Sequence, residues 1–141
     1  MSQLILPSGK TVVLASSIIP NGNFTWNEAT KQGTRKPLTV VIENRIIAIA
    51  TALEEVREFL GGQPMRVHSW YRPPSVNKSV GGARDSRHLY GDAVDFSIST
   101  VTPRTVYKKL DNWWGARGGL GDSAVFTHID LRGNDARWDY D

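Results

Sequence analysis

Cysteine is absent from this chain of 141 residues. No disulfide can staple the fold, and any metal ion must be held by nitrogen and oxygen. Long apolar runs are also missing. Nothing approaches the roughly 20 residues of a membrane span, and Met1–Pro7 shows no basic region followed by a sustained apolar stretch, so neither a membrane segment nor a secretory signal is expected. Without such a signal the glycosylation patterns at Asn23-Phe24-Thr25 and Asn77-Lys78-Ser79 carry no meaning. Basic residues do not cluster with interleaved aromatics, which argues against a nucleic-acid partner. The net charge of +3 is ordinary for solubility, although it also suits an anionic polymer such as a cell wall. Gly115, Gly118, Gly119 and Gly121 lack the lysine-serine or lysine-threonine ending of a phosphate loop and read as a flexible segment.

What remains has the length of one domain, able to bury about two thirds of the surface its unfolded chain exposes. The expected unit spans 1–141, with 1–36 as an N-terminal hairpin and loop extension. Leu4–Leu6 and Thr11–Leu14 flank a Ser8-Gly9 turn and predict the hairpin. Thr25 with Glu28 has capping-box spacing for a short helix. Between Pro37 and Leu60, Ile42, Ile46, Ile49, Leu53, Val56 and Leu60 recur in steps of four and three, which predicts a helix with one buried stripe, ended by Gly61-Gly62. Its charged residues, including Glu43, Glu54 and Glu58, fall mainly off that stripe and read as a solvated face. Met65–Trp70 predicts a strand, Ser75–Val80 a short helix, and Thr102-Pro103 the capped start of another helix reaching about Trp114.

The chemistry concentrates in Ser86–Phe96. Ala93–Ile98 reads as a core strand interrupted by Asp95. A carboxylate there costs about 2–7 kcal/mol unless it is paired, and a metal ion is a fitting partner. His88 precedes the strand, with Gly91 to turn the backbone. A catalytic zinc takes three protein ligands, so a third must come from elsewhere. In the strand Val125–Leu131, alternation places Val125, Thr127, Ile129 and Leu131 on one face and Phe126, His128 and Asp130 on the other. His88, Asp95 and His128 are therefore the expected His2Asp zinc site. The remaining histidine, His68, reads as a packed or surface residue.

Ser86-x-His88-x-x-Gly91-x-Ala93-x-Asp95, followed by His128-Ile129-Asp130, resembles the zinc D-alanyl-D-alanine carboxypeptidases and related peptidoglycan endopeptidases, whose fold is shared by the hedgehog signalling domain. Ser69-Trp70-Tyr71-Arg72-Pro73-Pro74 resembles that family's Ser-Gly-Tyr-Arg-Ser-Pro element, whose arginine lies beside the metal. Phe24-Thr25-x-x-Glu28 and Ala136-Arg137-Trp138 also have counterparts there. The resemblance implies an α+β fold, a small antiparallel sheet flanked by helices, and a Zn2+ cofactor. It implies action on peptidoglycan peptides; a monomer is expected, and without a visible signal segment the wall would be reached after lysis or by delivery, as suits a phage-type lysin or a tail-borne enzyme.

Arg72, fixed at a strand end by two prolines, is expected to grip a carboxylate or stabilise an oxyanion. Tyr71 is an expected substrate contact. Ser86 has two readings, a hydrogen bond within its turn or a contact with substrate. The family's glutamate base lies three residues before the last histidine ligand, and here that position is Val125. Asp130 is the expected replacement, its other reading being to orient His128 or Arg72. A subset of the endopeptidases shares the His-x-Asp pattern without the glutamate. The competing reading is a non-catalytic module that keeps the fold and binds cell wall or a protein.

Overall fold

In the computed structural model, which describes residues 1–140, the helical stripe forms α2 (Val40–Phe59), after a short α1 (Trp26–Thr30). The Thr39 side chain accepts the Ile42 N–H at the start of α2. Ile46, Ile49, Leu53 and Val56 are wholly buried, each contributing about 1.5–3 kcal/mol of hydrophobic stabilisation before entropy is counted. Gly61 and Gly62, both at positive φ, end the helix. The Thr25–Glu28 capping box of α1 forms in both directions.

Two of the charged residues on α2 depart from a solvated face. Glu43 is 4 % exposed and accepts the Ser8 N–H at 3.0 Å and its hydroxyl at 2.7 Å. The turn between β1 (Gln3–Ile5) and β2 (Thr11–Val13) is thereby tied to the helix. Glu54 accepts from the backbone and side chain of Asn23. Leu6, Leu14, Phe24, Trp26 and Ala29 join the same buried core as α2, so the stretch expected as an extension contributes to that core.

The main sheet has the order β3-β4-β6-β5-β7, with β3 at Arg66–Ser69, β4 at Ala93–Ser97, β5 at Gly119–Asp122, β6 at Thr127–Asp130 and β7 at Ala136–Asp139. All pairs are antiparallel except β5 with β7. Val94, Phe96, Leu120 and Ile129 share one face and are fully buried with Val106, Leu110 and Trp114 of α4 (Pro103–Trp114). This is the apolar face that the alternation predicts. On the opposite face the registers Ser69↔Asp95, Asp95↔His128, His128↔Gly121 and Gly121↔Trp138 form one row across all five strands.

The glycine-rich stretch is thus corrected in part, since Gly119–Asp122 is a buried strand. Glycine stands there because neighbours approach closely. A Cβ on Gly121 would lie 2.7 Å from Trp138 Nε1, and one on Gly119 would lie 2.6 Å from Asp130 Oδ2. Among the described residues no helix is long and apolar enough to cross a membrane.

Candidate metal centre

A short 3-10 turn, Arg87–Tyr90, delivers His88 to the start of β4. Ser86 caps it by accepting the His88 N–H at 3.2 Å. Gly91 closes it at φ +84°, where a Cβ would press on Ile42 and Ile46 at 3.1 Å. Trp70, 1 % exposed, fixes the turn from the sheet side: its indole donates to Gly91 O at 3.1 Å and its carbonyl oxygen sits 2.6 Å from His88 Nδ1. Asp95 comes from the middle of β4 and His128 from β6, as paired residues. All three are buried, and one ligand atom from each lies within 4.8 Å of the others.

The hydrogen bonds define which ring nitrogens face the metal position. His88 Nδ1 donates to the Trp70 carbonyl, leaving Nε2 with a lone pair. That Nε2 is buried without a hydrogen-bond partner, although Asp95 Oδ2 is 3.1 Å away. A cation placed between these two atoms would be held by both. His128 Nε2 is 2.8 Å from Asp130 Oδ2, and its Nδ1 is 2.8 Å from Asp95 Oδ1. With Asp130 holding the Nε2 side, Nδ1 is the nitrogen placed to hold a metal. Imidazoles oriented by a carbonyl and a carboxylate are what a zinc site requires, and the donor set fits.

The electrostatics agree. Burial alone would raise the Asp95 carboxyl, but His128 and His88 outweigh it and hold it well below the usual carboxylate range. Burial likewise pushes the His128 imidazole down, yet Asp130 and Asp95 lift it above its ordinary value. In Asp130 burial is overcome by His128, Arg132 and the Gly119 N–H, which keep it ionised.

His88 and His128 border an open cleft of about 570 Å³, lined also by Arg72, Ser86, Arg132, Trp138 and Tyr140. Arg72 reaches Asp95 Oδ2 at 3.8 Å and is braced by Ser69 at 3.3 Å and Asn77 at 3.1 Å. The structure therefore brings Arg72, His88, Asp95 and His128 together, with Ser86 at the rim. Tyr71, the other expected substrate contact, lies elsewhere. It is 1 % exposed and outside the cleft lining, because the chain turns it into the core as Arg72 turns out.

Asp130 lies next to the metal position but is fully buried, and both its oxygens are engaged, by Gly119, by His128 and bidentately by Arg132. Its arginine is Arg132 and not Arg72. Val125 is 63 % exposed at the head of β6. His68 bonds Ser97 at 2.7 Å away from the centre. The supporting roles of Trp70, Asn77 and Arg132 emerge only from the fold. Only the His-x-Asp-x-Arg spacing hinted at one of them, since carbonyl acceptors and braces leave no trace in residue type.

Two imidazoles and one carboxylate, buried at the foot of a cleft with a braced guanidinium beside them, form a group that could hold a single metal ion. The family model described as Peptidase M15 matches residues 22–130, and the chain belongs to that family. The zinc D-Ala-D-Ala carboxypeptidase of Streptomyces albus G is 31 % identical over 83 residues, covering 55 % of this chain and 32 % of the relative. The chain thus spans about a third of that protein's length.

Proposed function

We propose that the protein is a zinc-dependent peptidase hydrolysing an amide bond in the stem peptides or cross-links of peptidoglycan. The observation carrying this reading is the buried, partnerless His88 Nε2 facing Asp95 beside a His128 whose other nitrogen is already held. Zinc bound there would acidify a water molecule and polarise the scissile carbonyl. His88, Asp95 and His128 would hold the ion, and Trp70 fixes the His88 tautomer. Arg72, braced and open to the cleft, binds a substrate carboxylate or the developing oxyanion. Ser86, whose hydroxyl already accepts the His88 N–H, positions that ligand.

Asp130 is the orienting partner of His128 rather than the base. To take a proton it would have to release Arg132 while fully buried, and its depressed pKa opposes that. The position of the carboxypeptidases' glutamate carries Val125, which favours an endopeptidase over a strict carboxypeptidase. The same valine favours the rival reading of a wall-binding module without turnover.

Mass spectrometry of purified peptidoglycan after incubation with the protein separates the readings. New fragments that need zinc and vanish in His128→Ala establish the peptidase, and their masses identify the bond. Intact walls of several chemotypes, with zinc in the protein, would leave the binding module.

A further inference from the structure

β7 forms the edge of the main sheet, C-terminal to the residues matched by the family model. Arg137 anchors it by donating to the Asp111 carboxylate at 2.7 Å and to the carbonyls of Gly118, Asp111 and Gly115 at 2.9–3.1 Å. That pins the strand to the end of α4. Trp138 then lies across Gly121 in the row that contains the ligands. With no side chain at Gly121, the indole comes to 5.0 Å from the His128 ring, between centroids. Arg132 covers the indole at 5.0 Å while pairing with Asp130. Tyr140 continues the line, edge-on to Trp138 at 6.0 Å and to Phe126 at 5.3 Å, and is 50 % exposed. Both Trp138 and Tyr140 line the cleft. Val80, Gly81, Gly82 and Ala83 also line this cleft.

We infer that Trp138 and Tyr140 form the wall of the metal cleft against which an extended peptide substrate is held, and so determine how tightly it binds. The inference rests on the peptidase reading. The tryptophan is rigid, partly desolvated and set beside the reacting position, which is where aromatic side chains contribute most to binding. Tyr140 packs edge-on against Trp138 and Phe126 yet keeps half of its surface open to the cleft side and solvent. Because the wall acts on bound substrate and not on the ion, it alters KM with the zinc retained.

The test is steady-state kinetics on purified cross-linked stem peptides, with zinc content measured on the same samples, for Trp138→Ala, Trp138→Phe, Tyr140→Ala and Gly121→Ala. Trp138→Ala is expected to raise KM by about tenfold, as loss of a central aromatic contact does. Tyr140→Ala shifts it in the same direction, Trp138→Phe less, and kcat stays within about threefold with one zinc per chain. Gly121→Ala, which touches no substrate, displaces the indole and also raises KM. Variants that keep zinc and the wild-type KM would overturn the inference alone, as would a loss confined to kcat and zinc content. A wild type that neither binds nor cleaves the peptides would overturn the functional reading and this inference with it.

Discussion

Replacing Asp130 by asparagine keeps the shape of the side chain and removes its charge, which separates two roles for this residue. In the structure Asp130 Oδ2 lies 2.8 Å from His128 Nε2 and 2.7 Å from Arg132 Nη2, and Oδ1 takes Gly119 N–H and Arg132 Nε. Asparagine offers one acceptor and an NH2 that points a donor at a donor. If Asp130 orients His128, zinc affinity falls by about 10–100-fold, or about 1.4–2.7 kcal/mol, the usual effect of losing such a partner. The metal-free protein is also destabilised. Breaking a buried ion pair costs about 3–5 kcal/mol, but Arg132 is 30 % exposed and can turn to water, so about 1–3 kcal/mol is expected. Zinc competition against a chelating dye gives the affinity, and urea unfolding in chelator gives the stability. Zinc affinity within about threefold of wild type, with turnover lost, would refute the orienting role and restore Asp130 as the base.

His88→Ala and His128→Ala should each abolish stoichiometric zinc in purified protein; metal analysis finding one tight zinc per chain in the double variant would remove the site. Glu43→Ala strips two hydrogen bonds from Ser8 and should cost about 1.5–3 kcal/mol in urea unfolding, as charge-assisted bonds do; a change under about 0.5 kcal/mol would show the hairpin to be undocked. Burial raises the Tyr71 phenol above its ordinary 10.0, opposed by the Leu38 backbone. The folded state therefore holds its proton longer than the unfolded state, so this contribution is complete below pH 10 and is lost as pH rises through the raised folded value. Tyr71→Phe should flatten the alkaline loss of stability seen in wild-type thermal scans, and an unchanged slope would contradict the burial.

Much of the site could be read from residue type because its ligands break local rules: Asp95 interrupts an apolar strand, and His128 alternates against Thr127 and Ile129. The α2 stripe was legible for the same periodic reason. What escaped depends on long-range approach. Glycine at 119 and 121 looks like flexibility until Trp138 and Asp130 are seen packed over it, and a parallel edge strand seventeen residues downstream has no local signature. Tyr71 sits beside Arg72 in a motif, yet neighbouring residues leave a strand end in opposite directions, one into the core and one into the cleft. Glu43 carries the charge of a surface residue, and only the fold brings Ser8 to it. Asp130 had two readings in sequence, and its partner Arg132 favours the orienting one.

The most direct test of the account is X-ray diffraction from crystals grown with zinc, with anomalous data collected at the zinc edge. The account predicts one strong peak about 2.0–2.2 Å from His88 Nε2, His128 Nδ1 and an Asp95 carboxylate oxygen, with the cleft side open to water. A peak elsewhere, ligation through the opposite ring nitrogens, or no ordered zinc among these three residues would contradict it.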